Sequence, residues 1–388
     1  MKHNWEYKRL GDVCDVIGGS TPRTEISEFW NGSLNWFTPA EISDKKFYAS
    51  SERKITEEAV KTTGLTLMPP GTVLLTSRAP IGKVGIATEY CYCNQGFKNL
   101  VCKDSIFNEY LYYTLIYFNE DIKDRGRGAT FKEISKKVTE SISIPVPPME
   151  VQQQIVTELD KINEIIEDCR ELLRNLDALA KSLFYDYFGN PATNPKGFTV
   201  VPLSDVFSLI TDGTHRTPTY TTDVENGVKF LSAKDVVNGF IDWSKIKYIP
   251  FDLHIELHKR LAPQRGDILL CKNGTTGICA LVETDDIFDI YVSLALLRPN
   301  DNICAKYLVY AINSPFTREQ FNHSLKGIGV QNLHLNKIRS TKIILPPLSL
   351  QEKFAERIEQ IDAQKKAVEE TIANLQTLLD SRMDYWFN

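Results

Sequence analysis

The chain is written twice. KRLGDVCDVIGGSTPRT from Lys8 recurs as VPLSDVFSLITDGTHRTPT from Val201. LNWFTPAEI from Leu34 recurs as VKFLSAKDV from Val228, and PGTVLLTSRAPIGKVGIA from Pro70 as RGDILLCKNGTTGICALV from Arg265. EYLYYTLI matches KYLVYAIN, and ISIPVPPMEVQQQI matches KIILPPLSLQEKF. The offset grows from 193 at Leu10/Leu203 to 195 at Gly71/Gly266 and 199 at Pro147/Pro346, so loops changed length while the elements kept their order. A repeat this long is a domain-sized unit and not one turn of a solenoid. The 388 residues suffice for two such units, each with its own core.

Each copy has two parts. The first mixes short β-rich runs with one or two helices. GTVLLTS and KVGIAT flank a Gly/Pro turn, and GDILLCK and GICALVE repeat that arrangement. NEYLYYTLIYFNEDIK spaces its apolar residues as a helix. The second part is one long helix opening after Pro-Pro, where a missing N–H costs nothing. Its apolar positions are Val151, Ile155, Leu159, Ile162, Ile166, Cys169, Leu173, Leu176, Ala180, Leu183 and Tyr187, a sustained a/d stripe. The second copy gives Leu350, Phe354, Ile358, Ile361, Val368, Ile372, Leu375, Leu379 and Trp386, interrupted only by Lys365 and Arg382.

A lone helix cannot bury such a stripe. The expected partner is the other copy, with Ile155, Leu159, Ile162, Ile166, Leu173 and Leu176 against Phe354, Ile358, Ile361, Val368, Ile372 and Leu375. The alternative is that each stripe packs on its own globular part. Gly189 and the run NPATNPKG read as helix stop and linker. The expected fold is α+β: two pseudo-twofold-related α/β domains separated by two long helices in an antiparallel coiled coil. The expected boundaries are 1–147 and 191–346 for the domains, 148–190 for the first helix with its linker, and 347–388 for the second helix.

Charge bears on partners. The whole chain is at −5, but segments 148–190 and 348–388 carry −5 and −3, which leaves +3 on the remainder. The globular parts are thus mildly basic, compatible with DNA contact. The eight cysteines form no CxxC pair and read as reduced, partly buried thiols. With no signal core and no long apolar run, the chain is expected to be soluble and cytosolic, away from membranes.

Catalytic patterns are missing. No phosphate loop, nucleophile elbow or dinucleotide fingerprint occurs. Both Pro-Pro pairs lack the preceding Asn or Asp and the following aromatic that a DNA amino-methyltransferase needs. His254 and His258 in HIELH stand one helical turn apart, as zinc ligands can, but Ile255 occupies the place of the zincin glutamate. A solvated helix face is the expectation there, with no metal ligand assigned.

The candidates for DNA contact lie in polar, glycine-rich turns. The first copy offers Ser20, Thr21, Arg23, Ser77, Arg78, Lys83, Asn94, Gln95, Lys98, Lys123, Arg125, Arg127, Thr130 and Lys132. The second offers Thr214, His215, Arg216, Thr217, Lys272, Asn273, Thr275, Thr276, Lys326, Gln331 and Asn332. Arg, Lys, Asn and Gln read base edges, while Ser, Thr and backbone N–H groups suit phosphates.

The chain resembles the specificity subunits of type I restriction-modification systems. The resemblance spans the whole chain. It rests on the duplication, on VPPMEVQQQI and LPPLSLQEKF heading the helices, on GTVLLTSRAPIGK, and on NLDALAKSLFYDYFG echoed by NLQTLLDSRMDYWFN. It implies that each globular part is a target recognition domain reading one half of a split, asymmetric site in double-stranded DNA. The helices then set the spacing and dock two modification subunits, which a restriction subunit joins. S-adenosylmethionine, ATP and Mg belong to those partners, and this chain carries no cofactor and no catalysis. A non-enzymatic adaptor that binds protein or carbohydrate is the alternative.

Overall fold

The computed structural model describes residues 4–78, 80–127, 132–237, 239–324 and 332–388. Two compact units account for the chain: Met1–Arg170 with Glu369–Asn388, and Glu171–Val368. Both mix α and β, and their sheets share one plan.

In the first unit, a five-stranded sheet runs in the order Cys14–Gly18, Phe97–Cys102, Val73–Thr76, Val84–Ala87, Phe47–Tyr48. A three-stranded sheet places Trp30–Phe37 between Lys54–Ile55 and Cys91–Cys93, and the last pairing is parallel. In the second unit, Phe207–Asp212, Leu294–Pro299, Ile268–Cys271 and Cys279–Leu281 repeat the first four strands of the larger sheet. Val228–Leu231 again lies parallel to Phe288–Ile290. Among the described residues no fifth strand is paired onto this sheet, and a hairpin of Val236–Val237 with Phe240–Ile241 occupies that point in the chain. The two corresponding turns each close on a left-handed glycine, Gly82 (φ 93°) or Gly277 (φ 87°), a conformation a Cβ would oppose. Their amides bond Thr76 O at 3.0 Å and Cys271 O at 2.9 Å.

Each unit is closed at the Pro-Pro junction. Tyr7–Arg9 pairs with Ser143–Pro145, and Thr199–Pro202 pairs with Lys342–Leu345. The long helices follow directly, as Met149–Phe188 and Leu348–Phe387, each of 40 residues. Pro148 O accepts from the amides of Val151 and Gln152, and Pro347 O from those of Leu350 and Gln351, so the prolines form the first turn. Gly189 ends the first helix at φ 74°.

Both expected partners cover the apolar stripe. In the first unit, Ile155, Leu159, Ile162 and Ile166 are buried in one core with Tyr110, Leu111 and Tyr113 of the globular part and with Leu379, Met383 and Phe387 from the end of the second helix. Ile372 and Leu375 pack on its edge. In the second unit, Leu176, Ala180, Phe184 and Phe188 from the end of the first helix join Phe354, Ile358 and Ile361 from the start of the second. The early turns of each helix therefore meet the late turns of the other, and the pair is antiparallel. Leu173 and Val368, at mid-helix, are only half-buried.

The eight cysteines carry no disulfide. Among the described residues no helix is long and apolar enough to cross a membrane.

Candidate nucleic-acid interface

In the first unit four loops are laced together. The loop after strand Cys14–Gly18 approaches the turn after Cys93 so closely that a Cβ on Gly19 would lie 1.9 Å from Asn94 O. Ser20 N bonds Cys93 O at 2.9 Å, and Thr21 hydroxyl donates to the Gln95 side chain. The turn is joined in its own right to the next loop by Ser77 N to Gly96 O at 2.7 Å. Ser77 O then accepts from Ile134 N at 3.0 Å, while Arg127 and Glu133 exchange backbone hydrogen bonds. Glu133 ties the cations, lying 3.2 Å from Lys98 and 3.7 Å from Arg78.

The second unit repeats three of these backbone bonds with other side chains. A Cβ on Gly213 would lie 2.1 Å from Ile290 O. Thr214 N bonds Ile290 O at 3.0 Å, Lys272 N bonds Ser293 O at 2.8 Å, and Leu333 N bonds Lys272 O at 2.9 Å. The buried ion pair here is Lys272 with Asp212, at 2.5 Å. Burial alone would raise the Asp212 carboxyl, but the Lys272 ammonium and then His215 hold it below the ordinary carboxylate range.

The candidate residues divide by exposure. Arg23, Gln95, Arg125, Arg127 and Lys132 are exposed in the first unit, as are His215, Arg216, Thr217, Thr275 and Asn332 in the second. Ser20, Thr21, Arg78, Lys83, Asn94, Lys123 and Asn273 are partly exposed. Several of these have internal bonds: Lys83 Nζ reaches Ile42 O at 2.6 Å, and Lys123 pairs with Glu120 at 2.7 Å. Ser77, Lys98, Thr214, Lys272 and Thr276 are buried. Their polar atoms serve the frame, because Lys98 donates to Ser77 at 3.1 Å and Thr276 to Lys272 O at 3.4 Å. Thr130, Lys326 and Gln331 lie outside the described residues.

A groove of about 460 Å³ opens beside the second unit's frame, lined by Thr214 to Thr219 and by Leu253, Glu256, Leu257 and Arg260. Arg260 donates to Asp212 O at 2.8 Å, and Arg216 stands 3.7 Å from Glu256. Along the helix pair of the first unit runs a groove of about 760 Å³, walled by Glu150, Gln153, Gln154, Thr157, Glu158, Lys161, Ile162, Leu378 and Arg382.

The type I restriction modification DNA specificity domain matches residues 2–175 and 195–376, covering both copies. The chain belongs to that family. Among specificity-family relatives, the MjaIX specificity subunit of Methanocaldococcus jannaschii is 32% identical over 372 residues, covering 90% of this chain and 85% of its own length. The MjaVIII specificity subunit of the same organism is 25% identical over 383 residues, covering 93% and 87%. The fold is shared with the S subunit of M. genitalium, at TM-score 0.57 and 15% identity over 99% of this chain and 96% of that one. It is shared as well with a chain from work on complex assembly and conformational transition of the type I R-M system, at TM-score 0.62 and 19% identity over 99% and 97%. Specificity subunits of type I systems are not catalysts.

Two features of this family member escaped the sequence reading. His254 is buried and not on a solvated face, with Nδ1 2.7 Å from Asp289 Oδ2. Helical spacing fixes which residues share a face but not what covers it, and Asp289 is remote in sequence. The junction glutamines were the other omission. Gln152 is wholly buried, accepting from Phe107 N at 2.7 Å and donating to Ser105 O and Pro147 O at 3.1 and 2.8 Å. Gln351 repeats this, accepting from Cys304 N at 3.0 Å and donating to Pro346 O at 2.8 Å. Their recurrence in both copies was the available signal.

Proposed function

We propose that each globular part reads one half of a bipartite, asymmetric duplex-DNA site, while the paired helices set the spacing and dock two modification subunits. The observation that carries this reading is the repeated lacing. One backbone frame is built twice, and the side chains it presents differ: Thr21, Arg23, Gln95 and Arg127 in one copy, His215, Arg216, Thr217 and Thr275 in the other. A common frame with different reading groups suits two different half-sites.

S-adenosylmethionine, ATP and Mg would act on the modification and restriction partners. The polar wall Glu150, Gln153, Gln154, Thr157 and Lys161 is the favoured docking strip for a modification subunit.

The test is co-expression with modification subunits and mapping of methylated adenines. Arg23→Ala with Arg127→Ala should relax one half-site and leave the other intact. A base-reading arginine contributes about 1–3 kcal/mol of discrimination, whereas a phosphate contact weakens all sequences alike and lowers the salt dependence. Failure to bind duplex DNA, with or without modification subunits, would favour the adaptor reading.

A further inference from the structure

The helix Phe251–Arg260 presents His254 and His258 on one face, four residues apart. That face covers strand Phe288–Ile290, whose central residue is Asp289. His254 Nδ1 lies 2.7 Å from Asp289 Oδ2, and His258 Nδ1 lies 3.6 Å from Asp289 Oδ1. The three candidate ligand atoms fall within 4.8 Å of one another. Asp289 is 2% exposed and His254 7%. Neither Asp289 Oδ1 nor His258 Nδ1 has a hydrogen-bond partner among the described residues, although both atoms are buried.

Two imidazoles and a buried carboxylate, with two of their atoms unsatisfied, form a ligand set for a divalent transition metal. We propose that the second unit binds one zinc-class ion through His254, His258 and Asp289. Ligand atoms about 2.0–2.1 Å from a tetrahedral zinc ion are spaced roughly 3.3 Å apart. The His258–Asp289 separation of 3.6 Å is near that value. The His254 Nδ1 contact of 2.7 Å is to the other oxygen, Oδ2, and must give way for Nδ1 to face the ion beside Oδ1, which a small carboxylate rotation achieves. Two neutral imidazoles and one carboxylate leave the ion a single positive charge, and water completes the fourth position from the half-exposed His258 side.

The site is private to the second copy. Tyr92 stands where Asp289 would be, and the helix Glu57–Thr63 of the first unit holds no histidine. The ion would bind the helix to the strand that leads into Tyr291 and Val292, and Val292 N bonds Thr214 O at 3.0 Å. The same helix carries Glu256 and Arg260 on the wall of the Thr214–Thr219 groove. Metal binding would therefore hold one wall of that groove in place, whether or not the groove reads DNA.

The test uses the full chain without a histidine tag, stripped by chelator and titrated with zinc. Wild type should bind one ion per chain and gain thermal stability, since a ligand of the native state raises Tm. Cobalt should give the visible absorption of a tetrahedral site. His258→Gln and Asp289→Asn should bind at least ten-fold more weakly and lose the Tm gain, with metal-free circular dichroism like that of wild type. Substoichiometric zinc in wild type, or equal affinity in wild type and both variants, overturns the proposal and leaves the cluster as a His–Asp hydrogen bond alone.

Discussion

Gln152 and Gln351 show how one residue type performs the same task twice. Each amide uses its carbonyl on the amide at the N-cap of a globular helix and its NH2 group on the first proline carbonyl of the junction. Gln152→Ala leaves those buried groups unpaired, so a loss of about 1–3 kcal/mol in urea unfolding is expected. Gln152→Glu should cost more, because it removes the donors and buries a charge. The pair Lys272–Asp212 makes a prediction in pH. The depressed Asp212 carboxyl stabilises the fold fully above the ordinary carboxylate pKa of about 3.9, and this is lost as pH falls through the lower native value. Lys272→Met strands a buried carboxylate and should cost about 3 kcal/mol at pH 7. That deficit should shrink as pH falls toward about 4, because the stranded Asp212, raised by burial, protonates there, and shrink further below about 4 as wild type loses its own contribution. Urea midpoints at pH 7 and pH 3 check it, and an equal deficit at both would refute the assignment. At this scale the sequence was only partly legible. Arg23 and Arg216 are exposed as turn residues should be, but Lys98 and Lys272 are buried, because a lysine in a turn and a lysine under a turn look alike in sequence.

The long helices were the most legible elements, since heptad spacing and Pro-Pro starts are local signals. Even their interruptions have causes. Lys365 pairs with Asp177 at 2.6 Å, and Arg382 pairs with Glu158, which also accepts from Trp386 Nε1 at 3.0 Å. The Arg382 hydrogen bond outweighs burial and holds the Glu158 carboxyl below its usual range. Charged a/d positions of this kind fix register. The aromatic ends were less legible, because their partners come from a distant part of the chain. Phe387 stacks 5.3 Å from Tyr117 and lies 5.6 Å from Tyr110, while its counterpart Phe188 lies 4.9 Å from Tyr307. Phe387→Ala should cost about 3–5 kcal/mol in the first unit, and Phe188→Ala the same in the second. Leu172→Ala, at 46% exposure, should stay within about 0.5 kcal/mol. Hydrogen exchange would locate each loss, and the ranking fails if Leu172→Ala matches the two phenylalanine variants.

At the scale of the whole molecule the duplication has a geometric consequence. Each helix is 40 residues long, and at 1.5 Å per residue that is about 60 Å. If the helices set the distance between half-sites, length inserted in both must appear as spacer DNA. Four residues add roughly 6 Å, or one to two base pairs, but also turn the later half of each helix by about 40°, out of heptad phase. Seven residues add about 10 Å and keep the phase to within about 20°, so the stripe and its pairing survive better. At about 3.4 Å per base pair this lengthens the spacer by about three pairs. The insertion belongs near Leu173 and Val368, where the stripe is only half-buried and least packing is disturbed. Methylation mapping of the seven-residue variant should return both half-sites unchanged with a spacer about three pairs longer. An unchanged spacer, or altered half-sites, would show that the helices hold the units without measuring the DNA between them.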